Sequence, residues 1–364
     1  MEMVFKKGQI IICIGSGGVG KTTFSASLGA KAAEFGFKVL VLTIDPSKRL
    51  ATTLGIEGST DIVKVPGQNF AGELYASVVD HKKTFDDFIR KASANSEKVE
   101  KILNNKLYQQ LTTSLSGSQD FTSIEKLYEA YESKEFDIII LDTPPAKHAI
   151  DFLQAPEKIS SLFNEGIAKW FRQPKGSAKG FISALLSAGT KQVLKALEIL
   201  TGNDFIHELS DFFVKIEGHQ EKLQSRVLAA HQLLGSSQTH FCVVTAFDEA
   251  KLKEAEILAK QIKKSGYHLK YIVVNRAYPL WLKEIRNEKI QFQATNIELA
   301  QLYKKMSAFY IAKEKQIAAF IAKWPASLTV IQLPEFNTDI AHLKDLRWVM
   351  ELIHARIEQK IEKK

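Results

Sequence analysis

Eight residues constrain this chain more than any others: Gly15-Ser16-Gly17-Gly18-Val19-Gly20-Lys21-Thr22. They complete the pattern GxxxxGK[ST], and both flanks suit it. Residues 9–14 (Gln-Ile-Ile-Ile-Cys-Ile) are an apolar run that reads as a short buried strand. Residues 22–35 carry small and apolar side chains without proline, as a packed helix would. Glycines at such spacing let backbone N–H groups turn inward around phosphate oxygens. Lys21 sets a positive charge against the outer phosphates, and the Thr22 hydroxyl is placed to ligate magnesium. The following helix aims its N-terminus at the same anion. A glycine-rich turn with a surface lysine would need neither flank, so a nucleotide-phosphate cradle is the better reading.

The rest of the chain repeats the same rhythm. Gly36 closes the helix and residues 38–44 form a second strand, giving a βαβ unit with parallel strands. Residues 136–141 are a continuous apolar strand after a helical stretch at 122–133. Residues 241–245 and 271–274 read as strands around a helix at 249–265, and residues 329–333 as the last strand. Near-continuous apolar strands imply a sheet covered on both faces. The expected fold class is therefore α/β: a doubly wound, mostly parallel sheet with its ligand at the carboxyl ends of the strands. Residues 151–235 break the pattern, with apolar side chains at helical spacing such as Phe163, Ile167, Trp170 and Phe171. The expected organisation is a nucleotide-binding domain made of 1–150 and 236–364, interrupted by a helical insertion at 151–235. Residues 294–323 and 339–361 read as further helices.

Composition narrows the setting. The 364 residues are 45% hydrophobic and 25% charged, ordinary for a globular protein with a core large enough to need no staples. The two cysteines, Cys13 and Cys242, lie in apolar strand-like runs and form no CxxC pair, which favours buried core and a reducing, cytoplasmic setting. No apolar run reaches about 18 residues, so no spanning helix is expected. The N-terminal residues flow straight into the first strand, leaving no room for a cleavable signal. A net charge of +8 suits an anionic lipid surface or nucleic acid, yet dispersed lysines give the same number. Nucleic-acid binding rests on charge alone and is not favoured.

Two carboxylates stand where phosphate chemistry would need them. Asp45 follows the second strand in Thr43-Ile44-Asp45-Pro46, and Asp142 ends the third in Leu141-Asp142-Thr143-Pro144-Pro145. In a parallel sheet both strand ends emerge on the edge that carries the phosphate loop. One carboxylate can then orient an attacking water while the other holds the magnesium shell. Either alone reads as a turn former or helix cap; as a pair beside this loop they read as functional. Lys21 and Asp45 are thus the candidate catalytic residues, and Thr22, Asp45 and Asp142 the candidate metal site.

Gly17 to Thr23, Asp45-Pro46 and Asp142-Thr143-Pro144-Pro145 together resemble the deviant-Walker-A ATPases. Within them the chain is most similar to the arsenical pump-driving and tail-anchored-protein-targeting ATPases. Leu50 and Leu54, His148 with Phe152 and Leu153, Val273-Val274-Asn275-Arg276 and Leu333-Pro334 extend the match over nearly the whole chain. The resemblance implies that Gly17, Gly18, Val19, Gly20, Lys21, Thr22 and Thr23 bind ATP phosphates and magnesium. It makes the Asp45 and Asp142 segments two nucleotide-sensing switches. It also implies that Asn275 hydrogen-bonds adenine while the Pro334 segment flanks the ring.

Three departures qualify the likeness. Ser16 replaces a lysine that in the family reaches across a homodimer to the partner's phosphates; Lys48 or Arg49 is a candidate substitute cation, against the alternative that both are solvated switch residues. Neither cysteine fits the zinc-bridging or metalloid-binding arrangements of the family. The insertion has no methionine in 151–240 but carries Phe181, Phe205, Phe212 and Phe213 besides those named above. Seven Lys/Arg against three Glu in 155–203 give it a local balance of +4. A groove for an apolar client with a basic rim, a patch meeting anionic lipid at the membrane periphery, and a closed helical core all fit that composition. The leading expectation is a cytoplasmic ATP-switched carrier or targeting factor. The alternatives are the energising subunit of a membrane pump and a partitioning or division-site regulator.

Overall fold

The computed structural model describes residues 3–44, 49–56, 59–92, 99–100, 103–104, 108–109, 116–145, 153, 155, 220–281, 297–336, 340 and 342–357. The chain divides into two compact units. Met1–Val79, Leu127–Ile150 and Leu233–Lys364 make the first; Asp80–Lys126 and Asp151–Gln232 make the second.

The first unit is built on strands β2 (Gln9–Gly15), β3 (Lys38–Thr43), β4 (Val63–Lys64), β5 (Glu73–Val78), β6 (Ile138–Pro145), β7 (Thr239–Ala246), β8 (Leu269–Asn275) and β9 (Thr329–Gln332). They form one eight-stranded sheet in the order β4-β5-β3-β6-β2-β7-β8-β9. Every pairing is parallel except β4 with β5 at the edge. The expected α/β, doubly wound, mostly parallel architecture is what the chain adopts. All seven residues of β2 are buried, as a central strand covered on both faces requires. On one face Ile11, Val39, Val41, Ile138 and Ile140 pack with Phe24 and Leu28 of α1 (Lys21–Glu34) and with Leu50 and Leu54 of α2 (Arg49–Leu54). Gly36, at φ +87, ends α1 where the sequence placed its stop.

Two features of this unit depart from the sequence reading. Strands β4 and β5, at one end of the sheet, were not expected, and the last helix is shorter than 339–361. Helix α8 (Leu346–Leu352) buries Leu346, Val349 and Met350 against the core that contains α1, then stops at Ile353 in an extended conformation. The chain continues as β10 (Ala355–Ile357), which pairs in parallel with β1 (Met3–Phe5) in a separate two-stranded sheet. Helical propensity loses here because β1 offers backbone partners: the Met3 N–H donates to the His354 carbonyl at 2.9 Å. Strand β9 is therefore not the last strand. Helices α6 (Glu249–Lys264) and α7 (Ile297–Ile321) lie close to their expected limits, α6 capped by Asp248 accepting from the Lys251 N–H.

In the second unit, α3 (His81–Ala92) packs Phe85 and Phe88 against Phe121 of α4 (Ser116–Glu132), with ring centroids 5.9 Å and 5.0 Å apart. Tyr108 joins this cluster and donates its hydroxyl proton to Asp86 at 2.6 Å. Burial and that carboxylate together push the Tyr108 phenol far above its ordinary range. Arg226 of α5 (Gln220–Gly235) donates to the buried Glu125 of α4 at 2.6 Å. The aromatic and basic residues of the insertion from Phe163 to Phe213 lie outside the described residues. No helix among the described residues is long and apolar enough to cross a membrane.

Candidate functional site

Strand β2 ends at Gly15, where a Cβ would overlap the Val244 carbonyl oxygen of the neighbouring β7. Only glycine lets the chain leave the sheet so close to that strand. Gly18 (φ +76) and Gly20 (φ +89) then take left-handed conformations as the chain turns into α1. Gly17 and Gly18 are exposed, whereas the Val19 side chain is buried in the core and anchors the loop from below. Helix α1 has no acidic residue in its first turn and no side-chain cap at Gly20, so its N-terminus presents a positive dipole end with no acidic side chain of its own first turn against it.

Lys21 is 7% exposed, and its Nζ donates to the Ser16 carbonyl oxygen at 3.0 Å, curling back over the loop. Thr22 donates from Oγ1 to Asp142 Oδ2 at 2.7 Å. The same oxygen accepts from Thr43 Oγ1 at 3.1 Å. Asp142 is fully buried and lies in register with both Cys13 of β2 and Thr43 of β3. Its backbone is tied in as well: the Ile44 N–H donates to the Asp142 carbonyl at 3.2 Å, and Thr143 Oγ1 donates to the Cys13 carbonyl at 2.9 Å. Thr23 follows on α1, its carbonyl accepting from Ser27 Oγ at 2.8 Å.

Asn275 ends β8 and reaches the same loop, donating from Nδ2 to the Val19 carbonyl at 2.9 Å. Pro334 is buried in the segment that runs beside it. There the Ala277 N–H donates to the Leu333 carbonyl and the Glu335 N–H to the Tyr278 carbonyl, both at 2.8 Å. The structure thus brings together Gly15 to Thr23, Thr43, Asp142 and Asn275, with Pro334 alongside. Asp45 and Lys48 lie outside the described residues, and so does the side chain of Arg49, the first residue of α2. Cys13 and Cys242 are register partners in β2 and β7 and are fully buried. Burial, reinforced by the Cys13 neighbour, holds the Cys242 thiol well above its ordinary range, which suits inert core.

Thr143 belongs to the expected second switch, but sequence reasoning gave no role to its hydroxyl, which pins the strand to β2, or to that of Thr43, which bonds Asp142. A polar residue at the carboxyl end of an otherwise apolar strand was the available signal. The donor set fits magnesium: the Thr22 hydroxyl and the Asp142 carboxylate are hard oxygen donors in hydrogen-bond contact, and Mg²⁺ keeps waters and takes phosphate oxygens for its other positions.

A parallel sheet whose central strand feeds a glycine loop into a helix, with a strand-end aspartate bonded to the loop's threonine, defines a P-loop nucleotide-binding protein. The model of the anion-transporting ATPase family matches residues 8–322, and the chain belongs to that family. It is accordingly an ATP hydrolase. ATPase GET3 of Malassezia globosa is 24% identical over 276 residues, covering 74% of this chain and 73% of that one. ATPase GET3B of Arabidopsis thaliana is 25% identical over 283 residues, 73% of this chain and 63% of the relative. A protein of Aquifex aeolicus named for arsenical pump driving is 22% identical over 355 residues, 95% of this chain and 79% of the relative.

Proposed function

We propose that this chain is a magnesium-dependent ATPase working as a nucleotide-driven switch, and that it carries or targets a hydrophobic client or membrane partner. The observation that carries the reading is the shared carboxylate. One oxygen of Asp142 holds the loop threonine, Thr22, and the strand-end threonine, Thr43, from which the chain runs on into Asp45. Asp142 itself leads into Thr143-Pro144-Pro145. The two candidate switch segments and the phosphate loop are thereby joined at one buried group, so a change at the terminal phosphate is felt by both segments at once.

In this scheme the α1 N-terminus and the Gly17–Thr23 backbone bind the phosphates. Lys21 Nζ leaves the Ser16 carbonyl to meet the outer phosphates, a short reach for a side chain already folded over the loop. Thr22 and Asp142 would hold magnesium. Magnesium, when bound, neutralises charge developing on the phosphate oxygens. Asp45 orients the attacking water. The helical insertion at 151–235 supplies the client surface, and a homodimer closing over the nucleotide draws from Lys48 or Arg49 the cation of the lysine that Ser16 replaces.

The test is Asp45→Asn, which should bind ATP but hydrolyse it slowly. Loaded with Mg-ATP, it should retain a fluorescent apolar-helix peptide that the ADP-loaded or nucleotide-free protein releases. Equal peptide capture in all nucleotide states would sink the switch reading. A second reading, the energising subunit of a membrane pump, is favoured by the near-full-length alignment with the arsenical pump-driving relative. It predicts nucleotide-dependent capture of an integral membrane partner, with no retention of the isolated peptide.

A further inference from the structure

Six of the ten large apolar side chains that stand exposed among the described residues belong to one helix, α7. This helix links β8 to β9, which pair in parallel, so it runs back against the direction of the strands. Its C-terminal half is that of an ordinary crossover helix, with Ile317 and Phe320 buried. Near its middle it passes the carboxyl edge of the sheet. There Phe247, the residue after β7, meets the rings of Phe309 and Tyr310 with centroids 6.5 Å and 6.4 Å away. The Tyr310 hydroxyl donates to Glu335, beyond the end of β9, at 3.5 Å. The residues from Ile297 to Ala308 therefore stand past the strand ends, an overhang of about 18 Å at about 1.5 Å per residue.

The overhang keeps the stripe of a buried helix. Leu299, Leu302, Met306 and Phe309 lie on the same side of α7 as Ile317 and Phe320, yet they are 48%, 53%, 38% and 49% exposed. They overlook the edge of the sheet from which the phosphate loop also rises, at the end of β2. No charge interrupts the stripe: Lys304 falls on the opposite side of the helix and Lys305 on its flank. The stripe is spaced at intervals of three, four and three residues, which read the same in both directions. Turned end for end, a second α7 sets Leu299 opposite Phe309 and Leu302 opposite Met306. That self-complementarity is what a two-fold contact requires. Packing these side chains from two copies, with the helix surface between them, removes on the order of 1,000 Å² from water, about the lower limit for a specific interface.

We infer that the α7 overhang is an apolar seam between two copies of this chain, paired antiparallel over the nucleotide edge. The seam rests on the homodimer proposed above and adds to it. There a cation reaching a phosphate joins the copies; here an uncharged contact holds them whether or not nucleotide is bound. It needs no thiol bridge, and both cysteines, Cys13 and Cys242, are buried. Salt separates the two kinds of contact, since it screens charges but strengthens or spares apolar burial.

Sedimentation of the full chain over a range of concentrations tests this, without nucleotide and with Mg-ADP or Mg-ATP, at about 0.1 M and about 1 M sodium chloride. The expected result is a dimer in every nucleotide state, dissociating on the order of micromolar and undiminished at high salt. Leu302→Ser combined with Met306→Ser should weaken it on the order of a hundredfold. Ile257→Ser, at an exposed apolar residue of α6, should leave it unchanged. Circular dichroism checks that each variant folds. Should the double variant not fold, Met306→Cys places a reactive thiol on the seam while Cys13 and Cys242 stay buried, and a short bismaleimide should join the two copies. A dimer that survives the double variant, a missing crosslink in a dimeric protein, or a dimer that forms only with Mg-ATP and dissolves in salt would overturn the seam and leave the homodimer standing. A wild-type chain that stays monomeric in every nucleotide state would overturn both.

Discussion

Thr22 and Thr43 donate to the same oxygen of Asp142, at 2.7 Å and 3.1 Å, yet only Thr22 belongs to the phosphate loop. Replacing each by valine keeps the β-branched shape and removes one hydroxyl. A hydrogen bond to a charged acceptor contributes about 1.5–3 kcal/mol net, so each variant should lose stability on that scale. Because the two bonds share an acceptor, the surviving donor tightens when its rival is removed. The double variant should therefore depart from additivity by about 0.5 kcal/mol or more. Function should separate the pair where stability does not. Thr22→Val removes a candidate magnesium ligand, and the magnesium concentration giving half-maximal ATP hydrolysis should rise on the order of a hundredfold, or activity should vanish. Thr43, 1% exposed, bonds the Asp142 carboxylate and lies outside the phosphate loop, so the magnesium midpoint of Thr43→Val should move by less than about tenfold. The assay is phosphate release against magnesium at saturating ATP, with thermal unfolding of each variant alongside. Wild-type magnesium dependence in Thr22→Val, or its equal loss in both variants, would refute the assignment.

Other consequences of the structure can be checked separately. Gly15→Ala places a methyl group on the Val244 carbonyl, and backbone does not yield as a side-chain end would; it should cost about 1–3 kcal/mol and weaken nucleotide binding, read by thermal melting and nucleotide titration. His240 is held down to about 4, first by burial and then by the charges of Lys6, Lys270 and His268. Its neutral ring pairs with Gln9 Nε2 at 2.9 Å. The unfolded chain takes up this proton near the ordinary 6.5, so stability should fall as pH drops from about 6.5 toward about 4. His240→Gln should flatten that part of the pH profile of unfolding. In the second unit, Arg226→Leu leaves the carboxylate of Glu125, 2% exposed, without its ion-pair partner and should cost about 3–5 kcal/mol; adding Glu125→Leu should recover much of it in urea titrations. Cys13 and Cys242 should resist iodoacetamide in the folded protein and react on unfolding, as mass spectrometry would show.

How much could be read beforehand depended on how local the signal was. The Gly15–Thr22 loop, the βαβ units and helices such as α1 and α6 follow from periodicity and from glycine stops that neighbouring residues supply. Strand β5 escaped notice because Glu73, Tyr75 and Ser77 interleave with its apolar residues, and its pairing with β3 is set across α2 and β4. Strands β1 and β10 are three residues each, too short to show a period, and each exists because the other does. That pairing is also why the helix expected over 339–361 ends at Leu352. At the site, Asp142 was legible as a strand-end acid, but Thr43 read only as part of an apolar strand. The link from Asn275 to Val19 joins residues 256 positions apart, and no local pattern announces it.

The pairing of β1 with β10 has a consequence for the order in which the chain is made. A ribosome releases β2, the phosphate loop and α1 long before α8, whose residues cover α1 on one side. Until then Leu346, Val349 and Met350 are missing from the core around α1, and β1 has no strand beside it. The nucleotide cradle is therefore synthesised well before the elements that seal it. A nascent chain would carry its phosphate loop on an unfinished support until α8 has been made.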